Sequence, residues 1–195
     1  MTDKQPSPAF LPGMKFAPEG LPVEDNTFVC DSRRVDINGD GNDILVSFAT
    51  GGSGGVYQYG LLTDENDQVR SIIPQKELNQ GLLLETQCLP GLVLKVTDKN
   101  TGYIATIDIH KGLADYERLG IYNEKGELLK DPMVLVDGFG ILEPEDVNKD
   151  GIYELYGMQR ISVGANANSV ANAESVWTLS NGQLKLLSEV IDALN

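Results

Sequence analysis

The stretch Asp146-Val147-Asn148-Lys149-Asp150-Gly151-Ile152-Tyr153-Glu154 decides how the chain is read, because Asp36-Ile37-Asn38-Gly39-Asp40-Gly41-Asn42-Asp43 repeats nearly the same text. A calcium ion takes six to eight oxygens at about 2.3–2.6 Å, and a short loop supplies them from alternate positions, with glycine at the sixth where the backbone turns sharply. Both stretches have this form. In the later one, Asp146, Asn148 and Asp150 offer side-chain oxygens, Ile152 a backbone carbonyl and Glu154 a closing carboxylate. In the earlier one, Asp36, Asn38, Asp40, Asn42 and Asp43 are the candidate ligands. Asp43 comes one position sooner than Glu154, which leaves the closing ligand of that copy open. Carboxylates packed this closely repel one another and raise each other's pKa unless a cation fills the charge, so Ca²⁺ is the expected cofactor. The plainer alternative is that Asp, Asn and Gly are what tight turns are made of. The helix-loop-helix calcium hand fits poorly, because its twelfth-position acid is replaced by Ser47 and Gly157 and the flanks read as strands.

Outward from the loops the chain reads as strand after strand. Ile44-Leu45-Val46 leaves the first loop and Leu155-Tyr156 the second, while Val56–Leu61 alternates in period two. Leu82–Leu89 and Leu92–Thr97 flank the turn pair Pro90-Gly91, and Tyr103–Ile109 reads as a strand buried on both faces. Pro74–Gln80 is the only helix expected ahead of the C-terminal region. Ser175–Leu179 and Leu184–Val190 flank Asn181-Gly182, the strongest short hairpin signal in the chain. Hairpin entries at Val56–Leu62, Arg118–Tyr122 and Ser175–Leu179 recur about every 60 residues, a little above the range of propeller blades. The expected class is therefore all-β: three blade-like antiparallel β repeats at 27–75, 76–133 and 134–195 in one domain, following a Pro-rich extended lead at 1–26. Asp98-Lys99-Asn100-Thr101-Gly102-Tyr103 sits where the middle repeat would carry a loop. It keeps Asp-x-Asn but lacks the second Asp-Gly, and so reads as a degenerate copy without metal.

Against 29 acidic side chains the chain has 15 basic ones, a net charge of −14 that argues against nucleic-acid and anionic-membrane partners. No apolar run approaches the roughly 18 residues that span a bilayer. Met1–Pro6 carries no hydrophobic signal region, so the chain is expected either to work inside the cell or to lack an export signal already removed. Loops of this kind usually need calcium at levels found outside cells, which favours a secreted or cell-envelope protein. Cys30 and Cys88 match no zinc or redox spacing; one disulfide and two buried thiols both remain open.

The sequence resembles the FG-GAP/VCBS group of extracellular calcium-loop β-repeats. Phe139-Gly140 stands shortly before Asp146, and Gly164-Ala165 follows the next strand where that family carries Gly-Ala-Pro. The likeness is sharpest over 139–165 and returns over 28–55, with Asn166 in place of the proline. What the resemblance implies is blade-like four-stranded sheets with calcium in the loop between adjacent strands. Three repeats cannot close a standard ring, so an incomplete propeller or a compact β-sandwich is expected.

Few residues suggest chemistry beyond metal binding. Gly51-Gly52-Ser53-Gly54-Gly55 has the letters of a nucleophile elbow, but the next segment is a strand and not the helix that motif needs. His110 is the sole histidine and reads as an ordinary surface residue. Glu24, Asp25, Glu143 and Glu145 could supply a carboxylate pair for sugar hydrolysis. Tyr57, Tyr59, Tyr153, Tyr156 and Trp177 read mainly as core, with a few available to stack on sugar or a protein partner. The expected function is a non-catalytic, structural-calcium protein with a protein- or glycan-binding surface. The alternative is a hydrolase, glycan hydrolase or esterase, on the same scaffold.

Overall fold

A computed structural model describes residues 28–49, 56–65 and 68–194. The lead at 1–26, Ser53 with its glycines, Glu24 and Asp25 lie outside the described residues. Among those described, the chain is all-β with three antiparallel sheets, none closed into a barrel. The first holds β1 (Phe28–Val35), β2 (Asp43–Ala49), β3 (Tyr57–Glu65) and β4 (Gln68–Ser71) in sequence order. After α1 (Gln75–Leu78) comes a three-stranded sheet of β5 (Leu84–Leu89), β6 (Val93–Asp98) and β7 (Ile104–Asp108). A 3₁₀ turn at His110–Gly112 and α2 (Leu113–Arg118) lead to the third sheet, built of β8 (Val134–Glu145), β9 (Glu154–Val163), β10 (Ser169–Ser180) and β11 (Gln183–Ala193). Each sheet is a meander, and one falls within each of the ranges 27–75, 76–133 and 134–195.

By compactness the residues group into two units. Among the described residues, unit 1 takes those up to Gln80 with Phe139–Gly157 and Val176–Ser188, and unit 2 takes Gly81–Gly138, Met158–Ser175 and those from Glu189 onward. Strands β8 and β10 therefore give residues to both, as β9 and β11 do.

In unit 1, alternation along β2 and β3 sends side chains to two faces. Leu45, Tyr59 and Leu61 join Val35, Ile37, Phe139, Leu142 and Leu155 in one buried cluster, while Ile44, Val46, Phe48 and Leu62 form another. The register Ile44↔Leu62 and Leu45↔Leu61 makes these same-face pairs adjacent across the ladder. Short α1 is tied to β3 by Asn79, whose amide accepts the Tyr59 N–H and donates to the Tyr59 carbonyl, each at 2.8 Å. Tyr59 in turn accepts the Leu142 N–H at its hydroxyl, 3.1 Å away. Gly157 on β9 lies against the Phe139 ring, leaving no room for a Cβ. The aromatic residues serve mainly the core: Tyr59 is buried, and Tyr57, Tyr153 and Trp177 pack half-buried against the same cluster.

In unit 2, β6 alternates, with Leu94, Val96 and Asp98 inward. Gln159 joins two segments by accepting the Leu82 N–H and donating to the Asp137 carbonyl. Back in unit 1, the Asn181-Gly182 pair takes φ of 55° and 73°, the left-handed values a two-residue hairpin demands.

Three local expectations change. The segment after β7 forms α2, because Leu113 and Tyr116 at three-residue spacing turn inward while Asp115 and Glu117 face out. Arg118 therefore ends a helix and does not open a hairpin strand, and the turn at Asn123–Gly126 is flanked by a single bridge, Tyr122↔Leu128. The middle sheet has three strands as a result. Strand β7 is not buried on both faces either: Ile104 is 54% exposed while Ile107 is buried.

Candidate metal centre

The first Asx-rich loop joins β1 to β2 and the second joins β8 to β9, so each closing acid is the first residue of a strand: Asp43 opens β2 and Glu154 opens β9. Their hydrogen bonds correspond. Ile37 N–H reaches Asp43 Oδ2 at 3.0 Å, as Val147 N–H reaches Glu154 Oε2 at 3.1 Å. Asp40 N–H bonds Asn38 Oδ1 at 2.8 Å and Asp150 N–H bonds Asn148 Oδ1 at 2.9 Å. Asn42 N–H bonds Asp40 Oδ1 and Ile152 N–H bonds Asp150 Oδ1, both at 2.8 Å. Asp36 Oδ1 accepts the Gly39 N–H at 2.6 Å, while Asp146 takes those of Asp150 and Gly151, each at 3.1 Å. Asp43, one residue sooner and one methylene shorter, thus makes the same loop contact as Glu154. Gly41 and Gly151 sit at φ of 76° and 92°, where a side chain would be strained.

The two loops are neighbours within unit 1. Tyr153 donates its N–H to the Asp36 carbonyl at 2.7 Å, and the Ile152 side chain lies over Gly39.

The carboxylates are not equally gathered. Oxygens that share one calcium at about 2.4 Å lie no more than about 4.8 Å apart. Asp36, Asp40 and Asp43 meet that condition, each offering an oxygen within 4.8 Å of the others. Among the described residues, Asp146, Asp150 and Glu154 form no second such set. Asp43 has 0% exposure, and its carboxyl is pushed up to about 6, by burial above all. The Ile37 N–H opposes that rise, and the Asp40 and Asp36 charges add to it. The Asn38 amide faces this cluster, donating through Nδ2 to Asp40 Oδ2 at 2.9 Å and to Asp43 Oδ1 at 3.3 Å. Asn148 points the same way toward Glu154 Oε1 at 3.5 Å. The donor set is all oxygen and anionic, which fits a hard cation and not a soft one.

The other expected chemical residues are dispersed. His110 is exposed, with Nδ1 2.5 Å from Asp108 Oδ1, in a surface pair. Cys88 is a free buried thiol, pushed up by burial. Glu145 is exposed, and Glu143 contacts Arg33 at 3.4 Å. That arginine, also bonded to Asp31 at 2.9 Å, lines a shallow pocket of about 140 Å³ with Ser47, Tyr59 and Gly140. Nothing in the linear pattern signalled this pocket, because its lining comes from four separate strands. No helix of the described residues is long and apolar enough to cross a membrane.

Fold and site together define an all-β protein with paired acidic Asx loops, each at the entry to a sheet strand. The chain belongs to the YybI C-terminal domain family, whose model matches residues 83–192. It is 31% identical over 152 residues to the uncharacterized protein YybI of Bacillus subtilis (strain 168). That alignment covers 76% of this chain and 56% of the relative, so the chain spans about half the length of that protein. The matched family region contains the second loop, whereas the first lies ahead of it. No solved structure matches the chain.

Proposed function

We propose that this chain is a non-catalytic, calcium-binding β-repeat protein, related to the FG-GAP/VCBS group and working outside the cell or in its envelope. The observation that carries the reading is Asp43: a fully buried carboxylate at the head of a core strand, with Asp36 and Asp40 oxygens within 4.8 Å. A buried anion beside two more is costly unless a positive charge meets it. The partial charges of the Asn38 amide and of the Ile37 and Gly39 N–H groups are poor substitutes for a full one. Turning that amide presents Oδ1 in place of Nδ2 and adds a fourth oxygen, at the cost of the bond Oδ1 accepts from the Asp40 N–H. Bound calcium supplies the neutralising charge, and the chain's own residues do the rest. Asp36, Asn38 and Asp40 hold the loop, while Asp43 transmits its anchoring to β2. The second loop, through the Tyr153 N–H on the Asp36 carbonyl, shares in that order.

Calcium is structural in this account, and the exterior of the sheets binds a protein or glycan. Extracellular or envelope placement follows from the calcium levels such loops require. Thermal unfolding in chelator and in millimolar calcium tests the proposal. Binding that favours the folded state adds about 2.7 kcal/mol at one hundred times Kd, which moves the midpoint by several degrees. Superimposable melting curves, with no metal in the purified chain by elemental analysis, would exclude it.

A further inference from the structure

The middle repeat holds a carboxylate pair that the two loops do not explain. Asp98 ends β6 with 0% exposure. Its Oδ1 accepts the Asn100 N–H at 2.6 Å, but its Oδ2 is buried without a hydrogen-bond partner. Facing it is Glu189 of β11, whose Oε1 accepts the Thr101 hydroxyl at 2.5 Å and whose Oε2 is likewise buried and unpartnered. The Thr101 bond brings Glu189 to the Asp98–Tyr103 turn that Asp98 opens. Both belong to unit 2. Lys99, next to Asp98 in sequence, pairs its ammonium with Glu85 at 3.9 Å. Two acceptors that face each other with no donor between them leave a place for a positive charge.

Asp98-x-Asn100 repeats the opening of the two loops, and in each of those an acid beyond the Asn closes the cluster. Here the turn is too short to supply one, and Glu189 comes from another strand. We infer that Asp98 Oδ2, the Glu189 carboxylate and the Thr101 hydroxyl oxygen form a third cation site, taking a partly hydrated divalent ion of the calcium class. Three protein groups leave the remaining positions of a six- to eight-fold shell to water and nearby carbonyls. Burial pushes the Glu189 carboxyl up, with the Thr101 bond opposing and the Asp98 charge adding to the rise, so protons compete with the ion. The site stands on its own residues and does not depend on the Asp36 or Asp146 loops.

The test is a count of calcium ions per chain by equilibrium dialysis. In a chain carrying Asp43→Asn and Glu154→Gln together, one ion should remain, and adding Glu189→Gln should remove it. If the doubly substituted chain keeps its far-UV spectrum yet binds no calcium, the inference is wrong. Should that chain not fold, the single variant Glu189→Gln decides: the count must fall by one from the unmodified chain, and an unchanged count overturns the site. A shared proton in place of an ion would appear as no calcium bound in the doubly substituted chain and a melting point that rises on acidification. Calcium lost with Glu189→Gln but not with Asp43→Asn would sink the loop reading and leave this one standing.

Discussion

Asn in place of Asp43 separates the electrostatic cost of the first loop from its packing. Asp43 is fully buried, and its carboxyl moves from 3.8 to about 6 on folding. An acid raised in this way is protonated in the folded chain but ionised in the unfolded chain between those values. Stability from this group is therefore fully present below about 4, declines as pH rises, and reaches its full deficit above about 6. At neutral pH the deficit is about 3 kcal/mol. Asparagine has no charge at any pH, and whatever it loses in the Ile37 hydrogen bond is a constant offset. In chelator, the stability of the unmodified chain minus that of Asp43→Asn should fall by about 2.4 kcal/mol between pH 4 and pH 7. Urea unfolding followed by the fluorescence of Trp177, the single tryptophan, measures this. Saturating calcium should reverse the slope, because only the carboxylate binds the ion. A difference that stays flat across the range in chelator, or that grows with pH, refutes the reasoning.

Two packing predictions follow from the same unit. Gly157→Ala drives a methyl into the Phe139 ring, with Cδ1 and Cζ at 3.0 and 3.1 Å from the new carbon, and should cost about 1–3 kcal/mol in urea unfolding. The paired change Phe139→Leu should recover part of that loss. Tyr59→Phe strips the oxygen that accepts the Leu142 N–H and leaves a buried donor unpaired, which should cost about 1–3 kcal/mol with the fold retained by far-UV circular dichroism.

Local pattern was enough for most of the strands and for the Asn181-Gly182 hairpin, because alternation and turn chemistry act over a few residues. It was not enough for α2, where six residues carry only two inward side chains and the signal is too short to stand above its surroundings. The Asx loops were legible as text, yet counting positions could not show that Asp43 reaches the place Glu154 fills, since a missing residue and a missing methylene compensate only in three dimensions. Nor could it show that the first loop gathers its carboxylates more tightly than the second. Glu189 on Thr101, Gln159 between Leu82 and Asp137, and Asn79 on Tyr59 are long-range pairings that leave no trace in spacing.

Calcium anomalous difference density, from crystals grown in millimolar calcium, bears most directly on the metal centre. The account predicts a peak between Asp36, Asp40 and Asp43 with oxygens at about 2.3–2.6 Å and the Asn38 oxygen turned toward it. Flat anomalous density there, with the Asn38 Nδ2 still bonded to Asp40 and Asp43, would contradict it.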